Sequence, residues 1–413
     1  MFNINTINDT VVNYEKILRR SLSFFERTDE IDLAIVEKLE EQSPENILAL
    51  ARVLRIPKST VYRRIEKLLN MGLTVEPIID YNKLDLKCGV ALINPKEGYL
   101  SRIYNLIVNI HWFHRIIIAS GDFIIAKFFV PRKYENIIDN ILYTLKKEKI
   151  IKFYRIIHTS IDLASGKINR EYMSVESKIL KFPWSKWYRK IVSEETIKGH
   201  KLINEYLKDR RCALLADEVD VKIIEQLQKN AFKKKTEIAR TLNIPPWSVR
   251  HHFKTHIVKR NIILKYTPRI LLFHPDMVEY LMGTIKFHSV ASMKRFVNVL
   301  WNSPILRRVS KLVNLNNVFV SIMIPKDEVR NLYLFLDRLC EVGILRGFRL
   351  YNVYLKTFSC WSIPSELFKE TYWDIGMEKI KKAIEETLNG KIASHVSYYM
   401  SLKMLAPYPV LYS

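Results

Sequence analysis

The sequence predicts an α+β chain in which two winged helix-turn-helix domains alternate with two ferredoxin-like domains. Three observations lead there. One segment occurs twice, 188 residues apart: positions 29–64 and 217–252 align without a gap, and twelve of the thirty-six are identical. Each copy of that segment has the apolar spacing of three short helices. Each copy is then followed by a strand–helix–strand–strand–helix–strand rhythm, the βαββαβ order of the ferredoxin-like plan. A duplication this long marks a repeated set of domains, since solenoid repeats run about 20–50 residues.

Residues 1–28 carry a lone amphipathic helix over 8–26, with Val11, Val12, Ile17, Leu18, Leu22 and Phe25 near helical spacing. The first helix-turn-helix domain spans 29–80. Its first helix opens at Asp29-Glu30-Ile31-Asp32 and turns Ile31, Ile35, Val36 and Leu39 to one side. A second helix over 45–54 buries Ile47, Leu48, Leu50, Ala51 and Leu54. Pro57 makes it stop, because the residue before a proline is pushed out of the helical region. Ser59 or Thr60 sits where a third helix wants its cap. Val61, Ile65, Leu68 and Leu69 form that helix's inner face, and Gly72 ends it as a left-handed C-cap. The apolar, β-rich stretch 73–79 reads as the wing strand.

The domain over 81–160 has strands at 88–93, 115–119, 123–130 and 151–159 and helices at 96–110 and 132–147. Ser120-Gly121-Asp122 turns its second strand into its third. A linker over 161–216 holds Phe182, Trp184, Trp187 and Tyr188 and a helix at 195–210. The second helix-turn-helix domain spans 217–270. The second ferredoxin-like domain, 271–356, has strands at 282–288, 306–312, 318–324 and 347–355 and helices at 291–301 and 326–340. A helical tail over 357–413, with its helix at 376–388, completes the chain.

Charge points to the partner. Lys and Arg number 66 against 43 Asp and Glu, a net charge of +23. That excess calls for a polyanion, and nucleic acid is the expected one. No apolar run is long enough to span a bilayer and the N-terminus shows no cleavable signal, so a cytoplasmic, nucleoid-associated protein without a membrane partner is expected. Cys88, Cys212, Cys340 and Cys360 form no C-x-x-C pair, which fits a reducing compartment.

The third helix of a helix-turn-helix enters the major groove of double-stranded DNA and reads base edges with its first turns. With Val61 and Ile65 inward, Lys58, Ser59, Tyr62 and Arg63 face outward. Arg63 suits a guanine; Lys58 and Lys67 suit phosphates. The second copy offers Pro246, Trp247, Arg250, His251 and Lys254, preceded by Lys233, Lys234 and Lys235. Between 229 and 260 stand nine Lys or Arg and one acid, Glu237. His251, His252 and His256 suggest a metal site, since histidines at i and i+4 share a helix face, but no acid or cysteine stands nearby in sequence, so no metal is expected. No catalytic motif and no cofactor fingerprint is present, which points to a binding protein and not an enzyme.

The run 28–87 resembles the Lrp/AsnC family of prokaryotic, here archaeal, transcription regulators. The resemblance rests on Asp29-Glu30-Ile31-Asp32, on Ala51 and Leu54, on Ile56-Pro57-Lys58-Ser59-Thr60-Val61, on Arg63-Arg64-Ile65 and Leu68, and on Gly72. It implies sequence-specific DNA binding, with Arg64 at the helix edge against phosphate or an acidic side chain. It also implies an amino-acid effector near Ser120, Gly121 and Asp122. Family members assemble as dimers or higher oligomers, so two copies in one chain imply a homodimer or an internal pseudo-dimer. The second copy departs from the pattern: Arg260 stands where Gly72 stood, and 314–317 replaces the Gly-Asp turn. The rival readings are an architectural, chromatin-like DNA binder and an adaptor for the transcription machinery.

Overall fold

In the computed structural model, residues 28–39, 44, 46–165, 172–174, 179–180, 182–193, 213–269, 275–301 and 303–389 are described. The helices expected at 8–26 and 195–210 lie outside them.

The first copy runs α1 (Glu30–Lys38), α2 (Ile47–Leu54), α3 (Lys58–Asn70), β1 (Thr74–Ile79), β2 (Leu86–Pro95), α4 (Leu100–Asn109), β3 (Phe113–Ala119), β4 (Phe123–Pro131), α5 (Ile137–Lys147) and β5 (Ile151–Thr159). A two-residue strand, β6 (Leu163–Ala164), and α6 (Trp184–Val192) follow. The second copy runs α7 (Glu218–Lys229), α8 (Lys235–Leu242), α9 (Pro246–His251, continued by a π turn His252–Val258), β7 (Ile263–Arg269), β8 (Val278–Phe287), α10 (Val290–Trp301), β9 (Leu306–Lys311), β10 (Asn317–Pro325), α11 (Val329–Glu341) and β11 (Leu345–Asn352). The tail adds β12 (Ser359–Cys360) and α12 (Met377–Leu388). The helices expected from 96 and 132 begin later, because the chain leaves Pro95 and Pro131 through a turn first.

Local sequence explains the head. Asp29 caps α1 and forms a reciprocal capping box with Asp32. Asp217 and Asp220 do the same for α7. The second helix of each head ends on a left-handed residue, Arg55 (φ 56°) or Asn243 (φ 53°). Leu33, Ile35, Val36, Leu50, Ala51, Val61, Ile65 and Leu68 fill the first head's core. Ile31 and Leu48, expected inside, are exposed. The capping box turns Asp32 inward at that point of α1, so Leu33 takes the inner position next to it.

The second head is not an ungapped copy throughout. Leu73 N–H donates to Leu68 O, and Ile262 N–H to Ile257 O; Met71 N–H donates to Lys67 O, and Arg260 N–H to His256 O. Past residue 252 the structural offset is therefore one residue longer than the sequence alignment gives. The π turn absorbs the extra residue. The counterpart of Gly72 (φ 100°) is thus Asn261 (φ 52°), not Arg260, and the left-handed end of the helix is kept.

The strand expected as a wing does not pair within its own head. A single strand there has no ladder partner, and its backbone groups need one. β1 pairs antiparallel with β7, Pro77 opposite Tyr266. With the added residue those two positions are counterparts, so an approximate two-fold axis passes through the ribbon. The two five-stranded sheets obey it too. Their orders are β12-β3-β4-β2-β5 and β11-β8-β10-β9-β6. Each copy sends the segment after its last strand to the far edge of the other copy's sheet: β6 pairs with β9, and β12 with β3. Exposed sheet edges are covered in this way. Between the facing sheets Val90, Leu92, Ile117, Ile125 and Ile157 pack with Met282, Leu312, Phe319 and Val353.

A polar cluster lies where the ribbon meets both sheets. Asp162 accepts hydrogen bonds from Arg115 (3.0 Å), Lys127 (2.8 Å), Arg308 (2.9 Å) and Ser310 (2.8 Å). Glu76 accepts from Arg269 (3.2 Å), Arg115 and Arg308. Burial pushes both carboxyls up, but the surrounding cations outweigh it and hold them well below the usual carboxylate range.

Candidate nucleic-acid interface

The apolar period of each third helix fixes which side faces out. On α3, Val61, Ile65 and Leu68 are buried, while Lys58, Ser59, Tyr62 and Arg63 are exposed over the first two turns. The expected cap from Ser59 or Thr60 is not made. Pro57 holds the N-cap position and no side chain takes up the first N–H groups. In the second head Val249, Phe253 and Ile257 are buried, and Trp247, Arg250, His251 and Lys254 are exposed. Trp247 is 70% exposed, so its ring does not pack on a neighbouring domain.

The other basic residues singled out by sequence turn into the heads. Arg64 Nη1 donates to Asp29 Oδ2 (2.5 Å) and Asp32 Oδ1 (3.0 Å), and Lys67 Nζ donates to Asp32 Oδ2 (2.7 Å). Burial pushes the Asp29 carboxyl up, and the Arg64 guanidinium brings it below its ordinary value. Lys233 Nζ donates to Gln226 Oε1 (2.6 Å) and Thr241 Oγ1 (2.8 Å). Lys235 Nζ lies 4.1 Å from the centre of the Phe253 ring. Of that basic run Lys234 is the exposed member.

The second head replaces the cations on its capping acids. The counterpart of Arg64 is His252, and the added residue makes His256 the counterpart of Lys67. Their Nδ1 atoms lie 3.0 and 3.1 Å from Asp220 and 3.4 and 3.3 Å from Asp217. Sequence proximity missed these acids, which stand more than thirty positions upstream. The repeated capping boxes carried the signal, since they fix where both acids meet the third helix.

The turn at Ser120, Gly121 and Asp122 is left-handed at Gly121 (φ 73°) and Asp122 (φ 58°). Ser120 N–H donates to Asn352 O (2.7 Å), and Asn94 Nδ2 donates to Gly121 O (3.2 Å). It therefore sits against the last strand of the other sheet.

Comparison with known proteins bears on the first head. Residues 29–69 match the AsnC-type helix-turn-helix domain. An uncharacterised HTH-type transcriptional regulator of Pyrococcus furiosus is 31% identical over 105 residues, covering 24% of this chain and 69% of the relative. A like-named protein of Pyrococcus horikoshii is 28% identical over 102 residues, covering 23% of this chain and 67% of the relative. The crystal structure of the siroheme decarboxylase NirDL overlays on 86% of this chain and 98% of its own at 11% identity. The TM-score of that overlay is 0.47.

Proposed function

The chain belongs to the Lrp/AsnC-like family of HTH-type transcriptional regulators, and from that premise we propose that it reads double-stranded DNA with two helix-turn-helix heads held in one polypeptide. The observation that carries this reading is the sorting of the third helices. In both heads the apolar residues are buried and a polar, cationic and aromatic set is exposed on the first turns. Arg63 and Arg250 are the base-reading candidates, and Lys58, Lys234 and Lys254 the phosphate contacts. Arg64, Lys67, Lys233 and Lys235 support the heads from within. Affinity comes largely from phosphate neutralisation, as a net charge of +23 favours.

The two copies act as an internal pseudo-dimer, each a helix-turn-helix domain followed by a ferredoxin-like one. The heads are not equivalent. Lys58, Ser59, Tyr62 and Arg63 in one stand against Pro246, Trp247, Arg250 and His251 in the other. The preferred site of one chain is therefore asymmetric. An amino-acid effector near Ser120, Gly121 and Asp122 belongs to the same reading and acts between the sheets.

Selection from a random DNA pool with the full-length chain tests it. An enriched asymmetric motif is the expected result. Tight binding without any enriched motif overturns sequence-specific reading and favours an architectural role.

A further inference from the structure

The first head compensates its buried capping acid with two permanent cations, Arg64 and Lys67. The second head has the same two acids, yet both cations are replaced by imidazoles. Asp220 has no exposed side-chain surface, so its charge needs a partner. Among the described residues, the side chains that meet Asp217 and Asp220 are His252 and His256. We propose that Asp217, Asp220, His252 and His256 form a site for one first-row divalent transition-metal ion of the zinc type, which supplies the charge that Arg64 and Lys67 supply in the first head.

The geometry suits such an ion. Each carboxylate spends one oxygen on the capping box: Asp217 Oδ1 accepts from Asp220 N–H, and Asp220 Oδ2 from Asp217 N–H. Asp217 Oδ2 and Asp220 Oδ1 remain to ligate. One ligand atom from each of the four side chains lies within 4.8 Å of the others. His252 Nδ1 lies 3.0 Å from Asp220 Oδ1, and the imidazoles of His252 and His256 lie 3.4 and 3.3 Å from Asp217 Oδ2, while the 3.1 Å contact of His256 is with Asp220 Oδ2. A tetrahedron with bonds near 2.0–2.2 Å has edges of about 3.3–3.6 Å, so small movements close it. Two imidazoles and two carboxylates select zinc-like ions over magnesium and calcium, which take oxygen ligands. Four protein ligands make a closed, structural site. The Asp217 side chain is 43% exposed and gives the ion a way in. The added residue is part of the device, because the π turn brings His256 to the position Lys67 holds in the other head. The bound ion ties the first helix of the second head to its third. Only the bearing of that tie on DNA rests on the function proposed above.

The test is titration of tag-free, chelator-stripped full-length chain with Zn²⁺ and, separately, Co²⁺, with no DNA present. One equivalent should bind, raise the thermal midpoint and give with Co²⁺ the intense visible bands of a tetrahedral site. The double variant His252→Arg, His256→Lys installs the first head's cations. It should keep the fold and bind at least about 100-fold more weakly. Asp217→Asn retains a capping side chain and should also weaken binding. Failure of the parent chain to bind one equivalent, or undiminished binding by both variants, overturns the proposal.

Discussion

Arg63 and Lys67 stand about one turn apart on α3 and do different things. Arg63 is exposed with its guanidinium outward, whereas Lys67 is bonded to the buried Asp32. Arg63→Ala should leave the thermal midpoint unchanged and relax preference at one base position, at a cost of about 1–3 kcal/mol. Lys67→Ala should instead lower the midpoint, at a cost of about 1.5–3 kcal/mol, and weaken all DNA sequences alike. Melting curves beside competition binding separate the two. If Lys67→Ala melts like the parent, the ion pair does not hold the head. The outward face was legible in the sequence, because apolar residues at helical spacing leave only one face for Lys58, Tyr62 and Arg63. An acidic partner for Arg64 was one of the two that the family resemblance offered; the inward turn of Lys67 was not legible, since Asp32 lies 35 residues away along the chain.

At the scale of elements, the capping box is the feature that both heads share. Asp29→Ala should destabilise the chain by about 1–2 kcal/mol for the lost cap, and further by removing one of the two carboxylates that Arg64 bonds. Asp29→Asn keeps a capping oxygen and should cost clearly less. Equal melting of the two variants would mean that the cap contributes nothing. Element order was readable because strand and helix periods differ and turn residues punctuate them. Two features escaped. The inner face of α3 steps through Val61, Ile65 and Leu68, while the second head steps through Val249, Phe253 and Ile257. That change from a four-three to a four-four spacing marks the added residue, yet both spacings look helical. The pairing of β1 with β7 also escaped, because nothing local to an apolar strand says which distant strand completes it.

Across the whole molecule the two copies are bound by exchanged strands, a shared ribbon and the Glu76–Asp162 cluster. Asp162→Asn would strand Arg115, Lys127 and Arg308 with one carboxylate fewer and should cost about 3–5 kcal/mol by chemical denaturation. Lys127 adds a pH signature. Burial, against the pull of Asp162, brings its ammonium down to about 8 from 10.5. The folded chain then binds fewer protons than the unfolded chain between those values, so this group's contribution to stability rises with pH across that window. Lys127→Met should flatten that rise; an unchanged slope would show that the ammonium is not desolvated. An isolated half is a poor probe of the heads, because the first sheet borrows β12 and Trp373 Nε1 donates to Leu84 O from the tail. Whether one chain reads DNA with two heads is tested best by footprinting and salt titration of the full-length protein beside Tyr62→Ala/Arg63→Ala and Trp247→Ala/Arg250→Ala. Each lesion should erase one side of the footprint and make the salt dependence shallower. If the second pair of substitutions leaves footprint and salt dependence unchanged, the second head does not read DNA.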